Sequence, residues 1–181
     1  MRTFGRLALA TALLLAAAGG AVLSAADGLR VMPLVRDGRV LVSFELADGF
    51  TPEVYEAIHS GLPTTFAYEI ELRRSVPFWI DRTLAAATVA SSVKFDNLTR
   101  RHQLGRTLDG RMEESRVTED EGEVRPWMTR FERVPLFRTT GLEANVEYYV
   151  RVRARTRPRD AWFFWPWDRG AAASASFTFI P

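Results

Sequence analysis

This sequence predicts a mainly β chain of two antiparallel layers with two short helices, behind an apolar N-terminal helix. Three observations predict it. Apolar and polar residues alternate over long stretches, Asp-Gly pairs separate such stretches, and an uncharged run lies near the N-terminus. Alternation of period two is the signature of half-buried strands. Asp-Gly between two alternating runs favours a two-residue hairpin, because both turn residues must adopt positive φ.

The N-terminal run comes first. Arg2 and Arg6 precede twenty uncharged residues, Leu7 to Ala26, whose apolar heart is Leu7 to Ala18. A positive start, an apolar stretch and small residues after it are what a secretory signal needs. Ser24-Ala25-Ala26 would suit cleavage before Asp27. As a helix, the same run is just long enough to cross a hydrocarbon core of about 30 Å, with the arginines kept in the cytoplasm. Residues 1–26 are therefore expected to be a signal peptide or a membrane anchor. Residues 27–181 are expected to form one domain, exported to the periplasm. It is soluble there if cleaved near Ala26, or held at the inner membrane by residues 7–26 if not.

Strands are expected through most of the remainder. Leu29 to Arg36 and Arg39 to Ala47 flank Asp37-Gly38, and Val40, Val42, Phe44 and Leu46 share one face of the second arm. Phe66, Tyr68, Ile70 and Leu72 alternate with Ala67, Glu69, Glu71 and Arg73. Thr83 to Phe95 is rich in Ala, Val and Thr. Arg100 to Thr107 and Arg111 to Thr118 flank Leu108-Asp109-Gly110 and are polar on both faces, which predicts an exposed hairpin whose charges resist edge pairing. Val146 to Thr156 and Ala173 to Ile180 complete the set.

Two helices interrupt the alternation. Thr51-Pro52-Glu53 supplies an N-cap, a proline at the first helical position and an acidic first turn, and Gly61 supplies a stop. In Glu123 to Arg133, Val124, Trp127, Met128 and Phe131 recur at helical spacing. Pro126 must lie within the first turn, since further in it would break the helix.

Near the C-terminus, Leu142, Tyr148, Val150, Val152 and Ala154 resemble the penultimate-strand pattern of fibronectin type III domains, with Ala144 and Val146 where Pro and Thr are usual. The resemblance implies an immunoglobulin/fibronectin-like β-sandwich with a tyrosine corner, the Tyr148 hydroxyl returning to the backbone a few residues upstream. Several segments in order also resemble a bacterial family of unknown function, DUF 4390, over about residues 29–181. They include Val42-Ser43-Phe44-Glu45-Leu46, Ser60-Gly61-Leu62-Pro63, Tyr68 to Arg74, Phe78-Trp79-Ile80-Asp81-Arg82 and Lys94 to Arg101. That resemblance implies an exported or anchored envelope protein, often encoded beside a two-component sensor kinase of the nitrogen-regulation type. It implies no catalytic residues.

Composition narrows the chemistry. The chain has 24 basic and 22 acidic residues, and setting Arg2 and Arg6 aside leaves 22 of each. A formally neutral domain offers no electrostatic argument for nucleic acid or anionic lipid. Cysteine is absent, which excludes disulfides, thiol nucleophiles and cysteine-based zinc sites. His59 is expected at a helix end and His102 in the polar hairpin, neither with ligand neighbours at metal-binding spacing. No serine lies in a G-x-S-x-G setting. Glu113-Glu114 and Glu119-Asp120-Glu121 read as solvated loop charge, and Glu69 and Glu71 as cross-strand partners for Arg151 and Arg153. No catalytic, cofactor or metal site is expected.

Trp162, Phe163, Phe164, Trp165 and Trp167 place five aromatics in six residues. Together they carry on the order of 1,000 Å² of surface, more than a soluble monomer usually leaves exposed. Either the segment folds back to close one end of the domain, or it contacts the membrane interface or a partner, where tryptophan is favoured. The expected function is a non-enzymatic envelope interaction module at the inner membrane, with the family resemblance implying a link to a sensor kinase. The alternative is a periplasmic protein binding a small apolar or sugar ligand in a pocket under the 162–167 loop.

Overall fold

The computed structural model describes residues 24–25, 28–76, 80–158 and 170–181. Its strands are β1 (Ser24–Ala25), β2 (Leu29–Arg36), β3 (Arg39–Leu46), β4 (Thr64–Arg74), β5 (Arg82–Asp96), β6 (Arg101–Leu108), β7 (Arg111–Thr118), β8 (Arg130–Arg138), β9 (Glu147–Pro158) and β10 (Ala171–Thr178). The helices are α1 (Pro52–His59) and α2 (Val124–Thr129), the latter entered through a 3-10 turn at Glu121–Glu123. The strands form two antiparallel sheets. The large one runs β1-β10-β9-β4-β5-β6-β7 and the small one β2-β3-β8.

Both Asp-Gly pairs form two-residue hairpin turns, with φ of 51° and 69° at Asp37 and Gly38 and 49° and 79° at Asp109 and Gly110. Positive φ at both central residues matches the twist of the flanking strands. Thr51 caps α1, its Oγ1 accepting from the Val54 N–H at 3.4 Å, and Val54 and Ile58 are buried beneath the helix.

The second helix is shorter than its apolar spacing predicts. Arg130 adopts φ −117° and ψ 129°, and the chain continues as β8. Thr129 Oγ1 donates back to the Arg125 carbonyl at 2.8 Å, a local bond that competes with helix propagation. Phe131 thus faces the core from a strand, paired with Phe44. The reading of β6 also changes. Its partner β7 is exposed almost throughout, but β6 buries His102, Leu104 and Gly105.

The sheets meet across the inward residues of alternating strands. Phe44 lies 4.9 Å from Tyr68 and 4.6 Å from Phe131, ring centre to ring centre, and Tyr68 lies 5.2 Å from Phe131. Tyr68 Oη and Ser91 Oγ both donate to the Met128 carbonyl, at 2.8 and 2.9 Å. Two large-sheet strands thereby hold the end of α2. Arg106 completes the junction. It donates to the Trp127 and Arg130 carbonyls, each at 2.8 Å, with its guanidinium over the rings of Trp127 and Phe131.

Tyr148 is 1 % exposed, and its hydroxyl accepts from the Glu143 N–H at 2.8 Å. That bond fastens the loop entering β9 to the core. Tyr148→Phe should lose roughly 1 kcal/mol of unfolding free energy, because the amide loses its partner. Urea denaturation of the variant against the parent chain measures this, and an unchanged midpoint would remove the hydroxyl from the stabilising contacts.

Candidate functional site

The five aromatics Trp162, Phe163, Phe164, Trp165 and Trp167 lie outside the described residues, as do residues 1–23. Among the described residues no helix is long and apolar enough to cross a membrane. The outer face of the large sheet is built by β10, β9, β4 and β5 side by side.

The register puts Glu69 opposite Arg153 and Glu71 opposite Arg151, as the alternation of both strands anticipates. The ion pairs themselves run diagonally, Glu71 to Arg153 at 3.9 Å and Glu69 to Arg155 at 3.4 Å. Sheet twist brings such diagonal neighbours within reach of long side chains. On either side of this charged ridge the outward positions are small. β5 presents Ala86, Thr88, Ala90 and Ser92, and β10 presents Ala172, Ser174 and Ser176. The face is thus a central bar of charge between two low margins.

A groove of about 460 Å³ opens on this face, lined by Asp81, Tyr149, Arg151, Ser174 and Ser176 among others. Tyr149 Oη donates to Asp81 Oδ2 at 2.6 Å, and Arg73 donates to the Asp81 carbonyl at 3.1 Å. The tyrosine's hydrogen bond holds the Asp81 carboxyl below the usual carboxylate range. Burial, and then that same bond, pushes the Tyr149 hydroxyl up. An ionised Asp81 beside a protonated Tyr149 fastens the end of the β4–β5 connection to β9. The groove offers hydroxyl, guanidinium and carboxylate groups that can hydrogen-bond a polar surface.

A second cluster joins residues that the sequence left apart. His59 Nε2 lies 3.4 Å from Glu121 Oε1, and the His59 ring stacks 4.0 Å from Tyr55. A hydrogen bond from Tyr55 pulls the Glu121 carboxyl down, so this residue is more than loop charge. His102 lies beneath, 4.7 Å from Phe95 and 6.3 Å from His59 between ring centres. It is 3 % exposed, and neither ring nitrogen has a hydrogen-bond partner. The legible signal was parity, since His102 shares its strand face with Leu104. Among the described residues, no group of three or more His, Cys, Asp or Glu is placed to hold a metal ion. Two imidazoles, a carboxylate and a phenol can here anchor α1 to the 3-10 turn.

The model for a family described as a domain of unknown function, DUF4390, matches residues 30–161. The chain belongs to this family. No curated protein matches it, and no solved structure does. The match to DUF4390 runs from β2 into the segment after β9, and so includes the charged ridge of β4 and β9, its β5 margin and the histidine cluster, but not the β10 margin.

The buried histidine of this DUF4390 chain yields a pH prediction. Burial lowers the His102 pKa, with His59 adding to the effect and Glu121 opposing it. The unfolded chain then binds this proton more tightly than the folded one. The stability held by a neutral His102 is present above the ordinary histidine value of about 6.5, and it is lost as pH falls below that value. Thermal melts across this range should show a falling midpoint in the parent chain and a flatter profile in His102→Phe. Equal slopes would exclude His102 as the source.

Proposed function

We propose that this chain is a non-enzymatic interaction module of the bacterial cell envelope, with residues 27–181 in the periplasm, serving a membrane-bound partner such as a sensor kinase. The outer face of the large sheet carries this reading. Its acidic groups are engaged with neighbouring arginines, its margins are small enough for another backbone to approach closely, and its groove is open and polar. These features suit contact with a protein surface.

The strand order supports an immunoglobulin/fibronectin-like sandwich as the scaffold. Taking β2, β3 and β8 as strands A, B and E gives the small sheet. Taking β10, β9, β4 and β5 as G, F, C and C′ gives the core of the large one. β6 and β7 extend that sheet beyond C′. Tyr148 stands near the start of F with its hydroxyl bonded five residues upstream, as a tyrosine corner requires. Interaction domains commonly use this architecture, although fold alone assigns no function.

The N-terminal segment is proposed to export or anchor the domain. Retention as an anchor is favoured by β1, whose residues pair as Ser24↔Ser174 and Ala25↔Ala173. Cleavage before Asp27 would remove that strand from the sheet edge. The aromatic segment is proposed as a further contact surface, reached from the Pro158 end of β9. The alternative remains a small apolar or sugar ligand in a pocket under the 162–167 loop; the polar Asp81–Tyr149 groove, near the opposite end of β9, suits a sugar.

Two experiments test the proposal. A C-terminal alkaline phosphatase fusion should be active, whereas an inactive fusion with the protein in the cytosol would overturn export. Replacing Trp165 and Trp167 with Ala should leave the thermal midpoint nearly unchanged while weakening association with envelope membranes or a partner. A core role predicts instead a loss of about 3–5 kcal/mol for each buried tryptophan, and that result would make the segment structural.

A further inference from the structure

The small sheet turns a very different face to solvent. Arg36 lies opposite Arg39, and Arg39 opposite Arg138, so three arginines stand side by side across three strands. The next row is apolar, with Leu34 opposite Leu41 and Leu41 opposite Pro135. Beyond it Met32 faces outward beside Ser43, and Arg30, Glu45 and Arg130 form the last row. Met32 is 66 % exposed and Leu34 47 %. A band of bare apolar side chains therefore lies between two rows rich in arginine.

Core packing fixes this register, but the choice of arginine at these outward positions adds nothing to stability. Like charges directly opposite one another destabilise a sheet, and here the repulsion acts twice in one row. Among the described residues, Arg36 has a carboxylate neighbour only in the adjacent turn residue Asp37, at 3.2 Å. Arg30, Arg39 and Arg138 form no ion pair among the described residues. Of the charged groups on the three strands of this sheet and the turn at Asp37, six are arginines and three, Asp37, Glu45 and Glu132, are acidic. A domain that is neutral in sum is strongly cationic here.

We propose that the outer face of the small sheet seats on an anionic phospholipid surface. Charge complementarity selects the headgroup, because guanidinium groups bind phosphate oxygens in paired hydrogen bonds. The apolar row selects a bilayer over a purely polar partner. Met32, Leu34 and Leu41 enter the interface while the arginines extend to the phosphates, the division of labour seen in interfacial amphipathic surfaces. Chain continuity agrees, since only residues 26–28 separate β1, at the end of the apolar run, from β2. This inference rests on the reading that the domain is held at a membrane, and it adds which face meets the lipid. The large-sheet face is then left pointing away from the bilayer toward a partner.

The absence of cysteine allows a direct test with the full chain. Leu34→Cys on the small sheet and Ser174→Cys on the large sheet are each labelled with an environment-sensitive fluorophore. The labelled chains are placed in vesicles of phosphatidylcholine alone, or of phosphatidylcholine and phosphatidylglycerol in equal parts. The Leu34 probe should shift to shorter wavelength and be quenched by brominated lipid only in the mixed vesicles, while the Ser174 probe stays unchanged. Each arginine neutralised should weaken docking about fivefold. Arg39→Glu should weaken it on the order of twenty-fold and yet raise the thermal midpoint, because a carboxylate would then stand between Arg36 and Arg138. Arg138→Gln provides the same reading with a neutral side chain. A Leu34 probe equally wet in both vesicles, or quenching that Arg39→Glu and Arg138→Gln leave intact, overturns the proposal. If the chain floats only with the mixed vesicles, and does so in an Arg39-dependent way, the face docks lipid while the anchor reading fails.

Discussion

The two sheets of this DUF4390 chain depend on Tyr68. Its ring packs against the stacked Phe44 and Phe131 of the small sheet, and its hydroxyl reaches past them to the Met128 carbonyl. Met128 is fully buried, so that carbonyl must find donors inside the protein or carry a desolvation cost of about 1–3 kcal/mol. Tyr68 and Ser91 supply them from adjacent strands. One aromatic side chain thus sets the spacing of the layers and fixes where α2 ends. β8 can then begin at Arg130 in register with β3.

Once the layers are locked, each strand's alternation delivers its polar residues to one of two outer faces. The large sheet receives acids and arginines on adjacent strands, and they pair. The small sheet receives arginines at matching positions of three strands, and among the described residues none of the three pairs with an acid on a neighbouring strand. The division is a matter of register. A shift of one residue in β3 or β8 would move these side chains into the core. It is excluded because Val40, Val42 and Phe44 must remain inside. Packing of the core therefore imposes the repulsion on the surface.

Much of the fold was legible because its signals are local. The Asp-Gly turns, the alternation in β3 and β4 and the Thr51-Pro52 helix start all follow from neighbours a few residues apart. The end of α2 was not legible. Trp127, Met128 and Phe131 fit helical spacing as well as they fit a short helix followed by a strand, and only pairing with β3 resolves the ambiguity. His102 was misplaced for a related reason. Its polar neighbours in sequence concealed that β6 packs one face against Phe95 and the α1 side of the core.

For the site, the sequence by itself determined which side chains are present: a charge balanced at 22 of each sign once Arg2 and Arg6 are set aside, no cysteine, and small residues through β5 and β10. It also determined which strand face each would occupy, because that parity is a property of one strand alone. Only the tertiary structure decided which faces lie side by side. The pairs Glu71–Arg153 and His59–Glu121 and the row Arg36–Arg39–Arg138 join segments whose register depends on several strands at once. Charge summed along a chain is blind to such placement, since electrostatic interaction falls with distance in space and takes no account of separation in sequence.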